Sequence, residues 1–145
     1  MNRRDVFSGT GAVMMAAVGT AVFAQEHGHS KMHHVNTKGA LTAAAADCVV
    51  KGQACLAHCL ILLGDGDKSM AGCATKVNQM LALCGALQNL GAQQSSLVPA
   101  LAKVALDACE QCAKECSKHE KKHAECKACM ESCQACIKEC KAVIA

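Results

Sequence analysis

Between Cys109 and Cys140 the chain reads CEQCAKECSKHEKKHAECKACMESCQACIKEC, and eight of its thirteen cysteines stand there. Cys126, Cys129, Cys133, Cys136 and Cys140 follow one another at intervals of three, four, three and four. That is the period of a helix's inward seam, carrying sulfur where a bundle normally carries leucine. A helix lined with thiols along its buried edge needs a reason, and metal is the one the pattern favours.

The same period runs through the rest of the chain. A first helix is expected over Thr37–Leu63, stopped by Gly64-Asp65-Gly66, with the seam Leu41, Ala45, Cys48, Gly52, Cys55, Cys59 and Leu62. A second starts after a cap at Asp67 or Ser69 and ends near Gly91, with Met70, Cys73, Val77, Met80, Cys84 and Leu87 on its seam. A third begins between Ser96 and Pro99, since proline suits a first turn, and reaches Ser117 through Ala102, Ala105, Cys109, Cys112 and Cys116. Lys118–Lys122 form a charged turn before a fourth helix at His123–Val143. All thirteen cysteines fall on these seams. Short loops between four helices imply an all-α, antiparallel up-down-up-down four-helix bundle with a cysteine-lined core.

Composition agrees with a core that needs help. The 145 residues include one proline, no tryptophan and no tyrosine, and both phenylalanines (Phe7 and Phe23) lie in the first 24 positions. An interior of Ala, Leu and Cys is thin in buried area, and bound metal would offset the deficit. The formal charge is +3, with lysines alternating with glutamates. No basic patch with interleaved aromatics is present, so nucleic-acid binding is disfavoured. No Ser/His/Asp set, phosphate loop or carboxylate pair in an apolar setting marks an enzyme.

The chain divides into three parts. In residues 1–24, Asn2-Arg3-Arg4-Asp5-Val6-Phe7 resembles a bacterial twin-arginine signal, with cleavage expected after Ala24 and a location outside the cytoplasm. An uncleaved N-terminal anchor is the alternative. Residues 25–36, QEHGHSKMHHVN, read as a flexible His/Met-rich tail whose histidines either catch copper transiently or are incidental. Residues 37–145 are the bundle, with no membrane contact expected for the mature form.

The spacing also bears on which metal. Cys55/Cys59, Cys112/Cys116, Cys129/Cys133 and Cys136/Cys140 are CxxxC pairs, and Cys109/Cys112, Cys126/Cys129 and Cys133/Cys136 are CxxC pairs. Residues three or four apart on a helix have Cβ atoms about 5–6 Å apart, and two metal–thiolate bonds end to end span about 4.6 Å. One ion can bridge such a pair. Thiolates select Cu(I), which accepts two ligands in a line, whereas zinc asks for four in a tetrahedron. If each thiolate serves two ions, capacity approaches one Cu(I) per cysteine. The expected function is therefore a multi-copper store.

Three other readings compete. A disulfide framework is the common meaning of many cysteines in an exported chain, but thirteen is odd and neighbours on one helix fit the disulfide dihedral poorly. Zinc or general soft-metal sequestration is the second. An iron–sulfur carrier is the third, although CxxCxxxCxxC on one straight helix makes a line rather than a cup. A metallochaperone would use the same ligands for a single ion.

An antiparallel arrangement gathers Cys59, Cys73, Cys116 and Cys126 at one end with His58, Met70, His119 and His123. Met and His bind Cu(I) more loosely than thiolate, which suits a loading mouth. His58 and Met70 are expected as ligands there, His119 and His123 as solvated, and Met80 as plain core.

These residues resemble the bacterial copper storage protein family. The resemblance is carried by CLAHC (Cys55–Cys59), Ser69-Met70 with Cys73, PALAKV (Pro99–Val104), CEQCAKEC (Cys109–Cys116) and AECKACMESCQACIKEC (Ala124–Cys140). It covers nearly all of the mature chain and is closest to the exported branch, which has a twin-arginine signal and thirteen cysteines. It implies tetramers of four-helix bundles filled with Cu(I), ligation by all thirteen cysteines, and a mouth role for His58 and Met70. It also implies supply of copper to exported copper-requiring enzymes. Some exported relatives carry extra methionines near the end of the first helix, where this chain has Leu62 and Asp65.

Overall fold

The computed structural model describes residues 37–145; the signal and tail expected over 1–36 lie outside the described residues. Four α-helices follow one another: α1 (Thr37–Gly64), α2 (Ala71–Ala92), α3 (Val98–Cys116) and α4 (Ala124–Ile144), with a short 3-10 turn at Lys68–Met70. Among the described residues there is no strand. Each helix packs on two neighbours in the ring α1, α2, α3, α4, with α4 closing against α1. That is the up-down-up-down bundle the spacing predicts.

The helix ends follow from local chemistry. After α1 the N–H of Asp67 reaches Leu62 O at 2.9 Å and that of Gly66 reaches Leu63 O at 3.1 Å. This is a Schellman ending, with Gly66 in the left-handed region at φ 94°. Both residues expected as a cap contribute: the Asp67 carboxylate accepts from the Ser69 N–H at 3.0 Å and its hydroxyl at 2.6 Å. The same ending closes α2, where Ser95 N–H donates to Leu90 O and Gln94 N–H to Gly91 O. Here Gln94 takes the left-handed position at φ 53°. Pro99 sits in the first turn of α3, where its missing N–H costs nothing.

All thirteen cysteines are free and buried. They share the core with Leu41, Ala45, Met70, Val77, Met80, Leu87, Val98, Ala102 and Ala105. Seam residues expected from the period are buried with one exception, Leu62, which is half-buried at the end of α1. The helix α1 is long and apolar enough to cross a membrane by length and composition, yet Cys48, Cys55 and Cys59 turn its inner edge into the core.

Close approach of α1 and α2 depends on glycine. A Cβ at Gly91 would collide with Thr42 Oγ1 and come within 3.2 Å of Thr42 Cβ. The Thr42 hydroxyl donates to Lys38 O at 2.7 Å, and a β-branched side chain has little rotamer freedom on a helix. Gly91→Ala should therefore destabilise the apo-protein by about 1–3 kcal/mol through overpacking, against a helix-propensity gain of about 1 kcal/mol. Adding Thr42→Ala should recover most of the loss. Urea denaturation checks this; a single variant as stable as the parent would show that the helices can move apart there.

Candidate metal centre

The inward thiols converge from different helices. Nearest the turn between α3 and α4, Cys55 and Cys59 of α1, Cys73 of α2 and Cys126 of α4 hold their sulfurs within 4.8 Å of one another. Cys55, Cys116 and Cys129 form the next group, and Cys112, Cys129 and Cys133 the one after. A fourth group takes one thiol from each helix: Cys48, Cys84, Cys109 and Cys136. Cys140 belongs to none of these groups; it lies one turn beyond Cys136 on the buried edge of α4.

Short sulfur–sulfur contacts mostly cross between helices. Cys73 and Cys116 stand 3.5 Å apart, Cys84 and Cys109 3.6 Å, Cys55 and Cys126 3.8 Å, Cys112 and Cys129 3.8 Å, and Cys55 and Cys73 3.9 Å. Of the CxxxC pairs, Cys112 and Cys116 come to 3.9 Å. This changes one expectation. Four thiols of a single helix form a line, but four helices bring four thiols together in two places. The contacts match the edge of a tetrahedron with 2.3 Å metal–sulfur bonds, about 3.8 Å. Spacing alone therefore does not favour Cu(I) over zinc.

Charge separates them. Among the described residues the buried polar side chain is Ser132, whose hydroxyl donates to Cys129 O at 2.9 Å. No basic side chain shares the core, so an excess of thiolate charge has no partner there. One monovalent cation per thiolate leaves the interior neutral. A divalent ion on four thiolates leaves two negative charges uncompensated.

Without metal the sulfurs share protons unevenly. Burial, and then the charge of Cys73, push the Cys59 thiol up to about 12 and the Cys126 thiol up to about 11. Hydrogen bonds from Cys116 and Cys55 draw Cys73 down to about 3. Cys48 and Cys129 are also drawn down, chiefly by hydrogen bonds from Cys109 and Cys112. Each of the four groups thus contains a sulfur disposed to be a thiolate beside at least one that is pushed up. Cu(I) binding at the protonated sulfurs releases those protons.

At the end near the α3–α4 turn, His58 and Met70 lie where expected. Met70 is fully buried three residues before Cys73, and His58 is half-buried beside Cys59. His123 corrects an expectation: it is not simply solvated. The turn after α3 doubles back through Ser117–His123, with the N–H of Lys122 and of His123 both reaching His119 O at 3.0 Å. It sets His123 Nδ1 2.9 Å from His58 Nε2. Glu125, in the first turn of α4, adds a carboxylate 3.8 Å from the same His58 nitrogen. Its position one residue before Cys126 was the available signal for it. His119 lies beside His123, with ring centroids 6.3 Å apart. At the far end Leu41, Leu87, Val98 and Ala102 close the core with hydrocarbon.

A family model described as copper storage protein matches residues 34–145. Among solved structures, Cu(I)-bound copper storage protein BsCsp3 aligns with a TM-score of 0.66 and 24% identity, covering 75% of this chain and 99% of that one. A likeness at that identity carries the fold. No curated protein matches the chain.

Proposed function

The chain belongs to the copper storage protein family, and from that premise we propose that its core stores Cu(I), several ions per chain, on thiolates drawn from all four helices. The observation that carries this is the set of four thiol groups inside an interior with no buried basic side chain among the described residues. The ligands are Cys48, Cys55, Cys59, Cys73, Cys84, Cys109, Cys112, Cys116, Cys126, Cys129, Cys133, Cys136 and Cys140, with His58 and Met70 serving the mouth. Soft thiolates suit Cu(I), and electroneutrality sets the capacity near one ion per thiol. Bound in this way Cu(I) is enclosed among fully buried thiols, out of reach of a substrate, so the role is storage, with protection from free copper, rather than catalysis.

Titrating the reduced protein with Cu(I) against a competing chelator tests this. Uptake should continue until the number of ions approaches the number of thiols. Saturation at one or two ions would leave a metallochaperone, and saturation at two or three ions by zinc in preference to copper would leave zinc sequestration.

Three finer readings belong with this one. Residues 1–24, with Arg3-Arg4, direct export by the twin-arginine route, which lets the thiols fold in a reducing compartment before they meet an oxidising one. A mature chain beginning at Gln25 is the expected product. The stored copper then supplies exported copper-requiring enzymes. Finally, the protein is a homotetramer: Leu60 and Ile61 on α1 are 57% and 64% exposed and would be covered by a second copy. Light scattering on the mature protein should give four chains; a clean monomer would contradict it.

A further inference from the structure

We propose that His58, His123 and Glu125 form a second metal site, built from nitrogen and oxygen donors, that takes Cu(II) at the mouth of the bundle. The site is separate from the thiols, so it adds a place for the oxidised ion to a protein whose core suits the reduced one.

The donors come from three places in the chain: His58 on α1, His123 at the end of the 117–123 turn, and Glu125 in the first turn of α4. His58 Nε2 and His123 Nδ1 stand 2.9 Å apart, and a Glu125 carboxylate oxygen lies 3.8 Å from the same His58 nitrogen. None of the four thiol groups includes a histidine nitrogen. The Met70 side chain is fully buried, whereas those of His58 and Glu125 are 24% and 42% exposed. Two imidazoles and a carboxylate therefore gather at the water-facing rim, apart from the sulfurs.

The distance selects the ion. Two metal–imidazole bonds of about 2.0 Å at a right angle set their nitrogens about 2.8 Å apart, and at the tetrahedral angle about 3.3 Å. The observed edge fits the right angle of tetragonal Cu(II) and is short for tetrahedral zinc. Imidazole also suits copper in its harder state, while Cu(I) prefers the softer thiolates inside. In the metal-free protein one ring's N–H faces the other's lone pair. Moving that proton to the far nitrogen of its ring turns two lone pairs toward one point, and a cation placed there relieves their repulsion. The Glu125 side chain, at the surface, swings in as the third donor and offsets one of the two charges.

The placement has a consequence for the store. His58 precedes Cys59 and Glu125 precedes Cys126, and both cysteines belong to the thiol group nearest the turn. A bound Cu(II) ties α1 to α4 at the rim through which Cu(I) enters.

The test adds Cu(II), as its glycine complex, to the full chain already loaded with Cu(I), which occupies the thiols and is silent in electron paramagnetic resonance. Histidines of residues 25–36 also bind Cu(II), so the site is read by difference. His58→Ala and His123→Ala should each hold one Cu(II) fewer per chain than the parent, and the signal they lose should show splitting from two imidazole nitrogens. Glu125→Gln, which keeps both rings, should weaken that ion at least about tenfold. His119→Ala, whose ring lies 6.3 Å from that of His123, and His27→Ala in the tail should both retain it. If the histidine variants fail to fold, as circular dichroism would reveal, the Glu125→Gln shift decides. Equal Cu(II) in the parent and His58→Ala, or unchanged affinity in Glu125→Gln, overturns the inference. Cu(I) loading is measured first, so a parent holding only one or two Cu(I) overturns the storage reading instead, and the Cu(II) difference is still counted.

Discussion

Saturating the reduced apo-protein with Cu(I) is expected to raise its melting temperature by tens of degrees. The metal-free core is poorly supplied with hydrocarbon: its largest fully buried side chains are Leu41, Met70, Met80, Leu87, Val77 and Val98, and then cysteines. No aromatic ring is among them. An ion present at about a thousand times its dissociation constant adds about 4 kcal/mol to the folded state, and the whole stability of a domain is about 5–15 kcal/mol. Two or three ions therefore rival everything else that holds the bundle together. In a domain of this size each kcal/mol moves the midpoint by about 4 °C. The ions also join α1, α2, α3 and α4 directly, since each four-thiol group draws on at least three helices. Circular dichroism melts with and without Cu(I), under reductant, measure the shift. A change of only a few degrees would place the copper outside the core.

The second large effect concerns thiol reactivity. An aromatic disulfide reagent at pH 8 should label the native apo-protein on the order of a hundredfold more slowly than the protein unfolded in guanidinium, because labelling has to wait for opening of the bundle. All thirteen sulfurs lie on residues with no exposed surface. At the mouth, where reagent would first arrive, Cys59 and Cys126 are held up to about 12 and about 11 and stay thiols at pH 8, while Cys73, the thiolate of that group, has no exposed surface. In the unfolded chain the same groups titrate near 9.0 and a measurable fraction is ionised. Copper loading should slow labelling further by suppressing the opening. Several thiols reacting at the rate of the unfolded chain would show that part of the seam faces water.

What the sequence revealed and what it withheld divide along a physical line. A seam is a property of one helix, so the three-and-four spacing placed Cys48, Cys55, Cys109 and Cys133 inward without reference to anything else. The helix stops were equally local: Gly64-Asp65-Gly66 after α1 and Pro99 at the start of α3 act through backbone conformation alone. Contacts between helices depend on rotation and stagger, which no single seam records. Hence the meeting of Cys73 with Cys116, or of Cys84 with Cys109, was not readable, and neither was the convergence of four thiols that a zinc ion would also accept. The partnership of His58 with His123 was hidden for the same reason, because it depends on how the 117–123 turn folds back over the end of the bundle. Gly91 looked like the end of a helix; its role in letting α2 approach Thr42 appears only when both helices are in place.

The central claim is that monovalent copper occupies the axis of the bundle, and anomalous diffraction at the copper edge from crystals of the Cu(I)-loaded protein tests it most directly. The account predicts a file of copper peaks between the four helices, each about 2.3 Å from two or more cysteine sulfurs, running from the His58 end to Cys140. Copper peaks confined to the surface, or cysteines joined pairwise as disulfides in the native crystal, would contradict it.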